Sequence, residues 1–235
     1  MDIFGNALLD YWHGREFEDL TTYSSLEEED RIPLDYLFRS HKQMPTLEQK
    51  ALSLCRGKVL DIGCGAGIHA MYLQEKGVDV TAIDISPGAA EVCRLRGLKK
   101  VYCQDFRLAL PETYDSLLLL MNGTGLAGNL KGLGPFLERL KSLLTVQGQI
   151  LIEGTDILYM FESDEQDGGH WVPENTDYYG EVSFEMVYKG QKSERFPWLY
   201  LDFNTLARAA NYHGMSCEMA YEGPSDNYLA ILQRL

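Results

Sequence analysis

The sequence predicts an α/β domain built on a doubly wound, mostly parallel sheet. Three observations carry this expectation. Apolar strand patterns alternate with helical patterns from residue 58 to residue 153, the signature of strands joined by crossover helices. One strand pattern contains the uninterrupted apolar run Leu117–Met121, which suits a strand covered by helices on both faces. The first strand of the series runs into glycines at alternate positions, Gly63, Gly65 and Gly67, before a helix begins.

Taken in order, residues 1–50 are mixed and acidic. They carry Glu27-Glu28-Glu29-Asp30 at their centre and the aromatic islands Tyr11-Trp12 and Tyr36-Leu37-Phe38-Arg39. Leu47, Ala51, Leu54 and Cys55 share a helical face, and Gly57 ends that helix. Residues 1–55 as a whole read as a helical cap over the ligand cleft. Strands follow at Lys58–Ile62, Asp79–Asp84, Lys100–Cys103, Asp115–Met121 and Gln149–Glu153. Between the first two a helix runs from about Gly67 to Lys76. In the next helix Ser86 is the cap, Pro87 lies in the first turn and Gly97 marks the end. A third helix covers about Leu133 to Leu144. Residues 154–201 break the rhythm and read as an insertion. Its first half, through Asp164 and Gly169, is acidic and loop-like. In its second half Glu181–Lys189 alternates, Gly190-Gln191-Lys192 turns, and Glu194–Leu201 returns with Phe196, Trp198 and Tyr200 on one side, a β-hairpin. A helix from about Asp202 to Tyr212 precedes an antiparallel pair, Met215–Tyr221 and Asn227–Leu232.

The length, 235 residues, suits one domain with a large core, and 45% apolar content is that of a globular protein. No apolar run approaches the ~20 residues that span a bilayer, and the N-terminal residues lack a basic region followed by an apolar stretch, so no secretory signal is expected. A net charge of −14 disfavours nucleic acid and anionic membranes as partners. The densest basic group, Arg94, Arg96, Lys99 and Lys100, falls at a helix end, where it offsets the helix dipole. Five cysteines without a C-x-x-C pair read as reduced thiols in a cytoplasmic protein. The five histidines show no metal-ligand spacing, so no metal is expected.

The stretch Val59-Leu60-Asp61-Ile62-Gly63-Cys64-Gly65-Ala66-Gly67 defines the chemistry. Dinucleotide sites prefer G-x-G-x-x-G and set a diphosphate on the helix N-terminus. Here the third glycine falls one residue early, Ile68 takes the dinucleotide position, and Asp61 would repel a diphosphate. A cationic nucleoside without phosphate fits better. The segment resembles the first motif of the class I, Rossmann-like methyltransferases that use S-adenosyl-L-methionine (SAM), whose pattern is an acidic residue and then x-G-x-G-x-G after a buried strand. The resemblance covers residues 55–153 and 202–235. It implies a seven-stranded sheet whose last strand is antiparallel, and methyl transfer by in-line displacement.

It also implies the site. Asp61 and the Gly63-Cys64-Gly65-Ala66-Gly67 backbone should face the methionine part, Asp84 the ribose hydroxyls, and Ile85 the adenine face. Asp105-Phe106 resembles the acidic segment that receives the adenine amino group. Asn122 lies where the family holds the transferring methyl, and the Asn-Pro-Pro-Tyr of nucleobase amino-methylating enzymes is absent there. Arg39 is a candidate for the SAM carboxylate and Tyr11 for a cation–π contact to the sulfonium. Asp156 is the candidate to hold or deprotonate the acceptor, and Tyr159, His170, Trp198 and Tyr200 are candidates to line its pocket. The cap and insertion suggest a small-molecule acceptor. A protein methyltransferase and a SAM-binding module without turnover are the alternatives, while the glycine spacing opposes a nicotinamide oxidoreductase.

Overall fold

A computed structural model describes residues 1–161 and 176–235. The N-terminal section contains α1 (Ile3–Trp12), β1 (Leu20–Ser24), β2 (Glu29–Ile32) and α2 (Thr46–Leu54). The alternating series is β3 (Val59–Ile62), α3 (Ile68–Glu75), β4 (Val80–Asp84), α4 (Pro87–Leu95), β5 (Val101–Cys103), β6 (Tyr114–Leu119), α5 (Leu130–Leu143) and β7 (Leu144–Thr155). After the insertion strands β8 (Glu181–Tyr188), β9 (Gln191–Lys192) and β10 (Phe196–Leu199), the chain ends with α6 (Phe203–Tyr212), β11 (Met215–Glu222) and β12 (Asn227–Arg234).

The main sheet has the order β11-β12-β7-β6-β3-β4-β5. Strands β3 to β7 pair in parallel, while β12 runs antiparallel to both β7 and β11. This is the seven-stranded sheet with its reversed last strand. The expected caps form: the Ser86 hydroxyl accepts from the Ala89 N–H at 3.0 Å, and the Asp202 carboxylate from the Thr205 N–H at 2.9 Å. The central strands bury both faces. Leu60, Ile83, Leu117 and Leu119 pack with α5 and α6, and Val59, Ala82 and Leu118 pack with α2 and α3.

The cap departs from its expected form. It is only partly helical, because β1 and β2 join the insertion hairpin in a second antiparallel sheet, order β10-β8-β1-β2, with β9 on β8. Thr21 pairs with Val187 and Ser24 with Phe184. Two segments that read as separate additions are thus one small sheet. Strands as short and polar as Leu20–Ser24 and Glu29–Ile32 lack a clear period. β2 pairs with β1, but the other partner of β1 is β8, some 160 residues away, and that pairing has no local signature. Helix α1 crosses α4 closely. Gly88 leaves no room for a side chain, since a Cβ there would fall 2.5 Å from the Gly5 backbone.

Candidate active site

Chain order reverses direction between β3 and β6, which are adjacent although β4 and β5 intervene in sequence. At such a switch point the loops beyond the strand ends diverge and leave a crevice. A cavity of about 840 Å³ occupies it, floored by the loops after β3, β4 and β6 and roofed by α1 and the small sheet.

The loop after β3 has Gly63, Gly65 and Gly67 at φ +73°, +53° and +79°, a left-handed path that side chains resist. Gly67 is further constrained: a Cβ there would lie 2.8 Å from Cys93 Sγ and 2.9 Å from Leu98. Asp84, at the end of β4, accepts from the Gly65 N–H and the Ser86 N–H, each at 2.9 Å. It thereby ties the loop after β3 to the loop after β4. Burial raises its carboxyl above the usual value despite these bonds. Asp61 is 2% exposed, and its Oδ2 has no hydrogen-bond partner among the described residues. Burial pushes it up to about 6, against the pull of the nearby His69 and the Ala70 backbone N–H. A buried carboxylate oxygen left open on a cavity wall suits a cationic ligand.

Of the residues expected at the site, Asp61, Gly63, Cys64, Gly65, Ile85, Asp84, Asp105, Phe106 and Trp198 line the cavity. Gly67 shapes the loop from behind. Ile85 is 71% exposed, its side chain offered at the rim. The Asp105 carboxylate accepts from the Arg107 N–H at 2.9 Å and pairs with its guanidinium at 3.2 Å.

Six of the expected side chains stand off the cavity wall. Asn122 does not line the cavity: its Oδ1 accepts from the Thr124 hydroxyl at 3.3 Å, and the wall is formed instead by its neighbours Met121 and Gly123. Met121 and Asn122 both adopt left-handed backbone, φ +56° and +59°, which turns the Asn122 side chain inward, and Glu153 holds the Met121 N–H at 2.7 Å. Asp156 is turned away from the cavity. It accepts from the Leu158 N–H at 2.9 Å and the Tyr179 hydroxyl at 2.6 Å and thus organises its own turn. Arg39 is buried behind the wall. It pairs with Glu48, donates to the Tyr36 carbonyl at 2.6 Å and lies over the Tyr36 ring at 3.8 Å. Tyr11 stacks on Phe38 with ring centroids 4.6 Å apart, an aromatic core contact. Tyr159 is 62% exposed and Tyr200 packs against Phe184, so neither reaches the cavity. His170 lies outside the described residues.

The structure adds residues that the sequence reading missed. Phe4 covers the glycine loop, 3.5 Å from where a Gly65 Cβ would stand. Its helix is anchored by Asp2, which accepts from the Ser86 hydroxyl at 2.9 Å and the Gly88 N–H at 2.8 Å. Met186 and Phe196 join Trp198 in the roof. The Trp198 indole lies so close to Gly125 that a Cβ there would be 2.0 Å from it. His69, second residue of α3, lines the wall and pairs through Nε2 with Glu48 at 2.9 Å. A signal existed for His69, because the first turn of a helix that follows a ligand loop faces the ligand. None existed for Phe4.

Comparison with known proteins agrees with this geometry. A family model described as "Methyltransferase domain" matches residues 59–147. A ubiquinone biosynthesis O-methyltransferase of Xylella fastidiosa is 42% identical over 63 residues, which span 27% of this chain and about a quarter of the length of that protein. An amino pentose methyltransferase from Micromonospora echinaspora, solved with SAM bound, shares the fold at TM-score 0.62 and 14% identity, over 88% of this chain and 99% of that one. A SAM-dependent methyltransferase from Bacteroides fragilis, solved in complex with S-adenosyl-L-homocysteine, aligns over 100% of this chain and 95% of its own, with 42% identity and TM-score 0.91. With a likeness that extends over cap, insertion and sheet alike, the chain belongs to the class I SAM-dependent methyltransferases.

Proposed function

We propose that this protein transfers a methyl group from SAM to a small-molecule acceptor. The observation that carries the reading is the cavity itself. Its floor offers the open Asp61 oxygen, the glycine loop and Asp84, and its roof is an apolar surface of Met186, Phe196 and Trp198. Single small ligands occupy sites of roughly 300–1,000 Å³, so about 840 Å³ is generous for one and accommodates a cofactor beside a modest acceptor.

The residues present fit SAM. Asp61 accepts from the ammonium. Asp84 keeps lone pairs free for the ribose hydroxyls while its backbone bonds hold the loop. Ile85 and Phe106 supply apolar surface for adenine, and Asp105 accepts from its amino group. Bound SAM supplies a methyl group already activated by the sulfonium. The protein orients the acceptor under the roof and excludes water, which is worth up to roughly 7–11 kcal/mol when alignment is ideal. Neither Asp156 nor Asn122 is on the cavity wall, and the transfer proposed uses neither side chain. The acceptor surface is apolar with Ser193 as a polar point, which favours a largely apolar small molecule over a protein segment. The curated O-methyltransferase relatives point the same way through the motif region alone. Five free thiols suit a reducing cytoplasm.

Calorimetry with SAM, S-adenosylhomocysteine and NAD, followed by turnover against a panel of small phenols, amines and acids, tests the reading. Binding of the first two ligands without NAD, and homocysteine-nucleoside release with at least one acceptor, is expected. NAD binding without SAM binding would overturn it, and cofactor binding with no turnover across broad panels would favour a binding module.

A further inference from the structure

The glycine loop carries a thiol that faces a second one. Cys64 lies between Gly63 and Gly65 and lines the cavity. Its Sγ stands 3.7 Å from the Sγ of Cys93, on α4, and both residues are buried. Cys93 also fastens the loop. Its thiol donates to the Gly65 carbonyl at 3.3 Å, while Asp84 accepts from the N–H of the same glycine at 2.9 Å. One turn further, Arg96 donates to the Ala66 carbonyl at 2.5 Å. Gly67 lies against Cys93 with no space for a side chain between them. The loop is thus set on α4 through the residue that its own cysteine meets.

We propose that Cys64 and Cys93 are an oxidation site, a dithiol that a peroxide converts into an intrachain disulfide, and that this disulfide releases the cofactor. The inference rests on the SAM reading above for its binding consequence alone. Cys64 reacts first, because it is on the cavity wall and Cys93 is sealed behind it. The Cys64 thiolate attacks a peroxide oxygen. The S–O bond forms, the O–O bond breaks, and the leaving hydroxide takes up the thiol proton as water. The Cys93 sulfur then attacks the Cys64 sulfur. The S–S bond forms, the S–O bond breaks, and a second water leaves with the Cys93 proton. The two thiols lose two electrons, and the peroxide gains them. The hydrogen bond with Cys93, burial, and the charges of Asp61 and Asp84 hold the Cys64 thiol well above its usual value. Thiolate is therefore scarce, and the pair yields only to sustained peroxide. In a disulfide the sulfurs are about 2.05 Å apart, so one of them must move. Cys93 sits in the hydrogen-bonded ladder of α4 and Cys64 in a loop, so the loop moves. The thiol proton that the Gly65 carbonyl accepted is also gone, and the Gly65 peptide loses its fixed place on the cavity floor.

The test treats the reduced full chain with hydrogen peroxide, alkylates the remaining thiols and maps the peptides by mass. A peptide linked through Cys64 and Cys93 is expected, forming more slowly when S-adenosylhomocysteine covers the cavity. Affinity of the oxidised chain for S-adenosylhomocysteine should fall at least about 10-fold and return with dithiothreitol. Cys103→Ser removes an exposed thiol and should retain both the linked peptide and the loss. Cys93→Ser keeps a hydroxyl donor for the Gly65 carbonyl and should form no linked peptide; Cys93→Ala serves if serine unsettles the core. In either variant, affinity lost to sustained peroxide should stay lost in dithiothreitol, because unresolved Cys64 goes on to the sulfinic acid. Absence of the Cys64–Cys93 peptide in the parent overturns the proposal, as does a linked chain that binds S-adenosylhomocysteine unchanged. Full recovery of the Cys93 variants in dithiothreitol also overturns it. If the reduced parent binds no S-adenosylhomocysteine, the SAM reading fails, and the linked peptide alone upholds or overturns the covalent step.

Discussion

Asp61→Asn is expected to make the ligand-free protein more stable and its cofactor site worse. The ordinary carboxylate value of 3.8 is pushed to about 6 at Asp61, principally by burial. The folded chain therefore holds a proton there that the unfolded chain has released. Stability falls as pH rises from about 4 to about 6, and above 6 the full cost applies. At ~1.4 kcal/mol per tenfold change the gap is worth roughly 3 kcal/mol. Asparagine removes the buried charge and keeps an oxygen for the Ala70 N–H. It also places an amide N–H₂ where Oδ2 lacks a partner, which returns roughly 1–2 kcal/mol of the gain. The net at pH 8 is a stabilisation of about 1–2 kcal/mol, or a rise in melting temperature of roughly 2–8 °C for a chain of this length. Melting curves of the parent and variant at pH 8 and pH 4.5 check it. The difference should be present at the higher pH and vanish or reverse at the lower, where Asp61 is protonated. Affinity for S-adenosylhomocysteine should fall by about 1.5–3 kcal/mol in the same variant, because the ammonium loses an ionic acceptor. A variant that melts lower than the parent at pH 8 would refute the claim that Asp61 is an uncompensated buried charge.

Asp84→Ala should weaken S-adenosylhomocysteine binding by at least about 1.5–3 kcal/mol. It should also lower the melting temperature, because the Gly65 and Ser86 N–H groups lose their acceptor; calorimetry and thermal melting measure the two effects. Gly67→Ala combines an unfavourable φ of +79° with a 2.8 Å approach to Cys93 Sγ, and a loss of about 1–3 kcal/mol is expected in chemical denaturation. Asp156→Asn should leave cofactor affinity and turnover within about twofold of the parent. Its effect should appear as lower stability, about 1 kcal/mol, from the weakened turn bonds to Leu158 and Tyr179; a large loss in turnover with unchanged stability would restore it to the site.

The parallel sheet and the floor of the cavity were legible in the sequence because both depend on short-range rules. A buried strand needs a continuous apolar run, as Leu117–Met121 shows. A loop with alternate residues at positive φ needs glycine, and a nucleoside site needs an acid at the end of the neighbouring strand. Asp61, Gly63, Gly65, Asp84, Ile85 and Asp105-Phe106 accordingly line one cavity. The direction of individual side chains at the rim was not legible. Asn122 and Asp156 follow strand ends as expected, yet Asn122 turns to Thr124 and Asp156 to Leu158 and Tyr179. A rotation of the backbone by one residue exchanges wall for interior. Whether Arg39 faces ligand or Glu48 was likewise decided by tertiary structure, since the Arg39–Glu48–His69 chain joins three separate elements. The same holds for the roof. Phe4 meets Gly65 across 61 positions, and β1 meets β8 across 160 or more. Such contacts are fixed by the burial of the whole chain, and no local spacing encodes them. The sequence by itself determined the sheet and the chemistry of its floor; the tertiary structure decided what closes over it and which side chains look in.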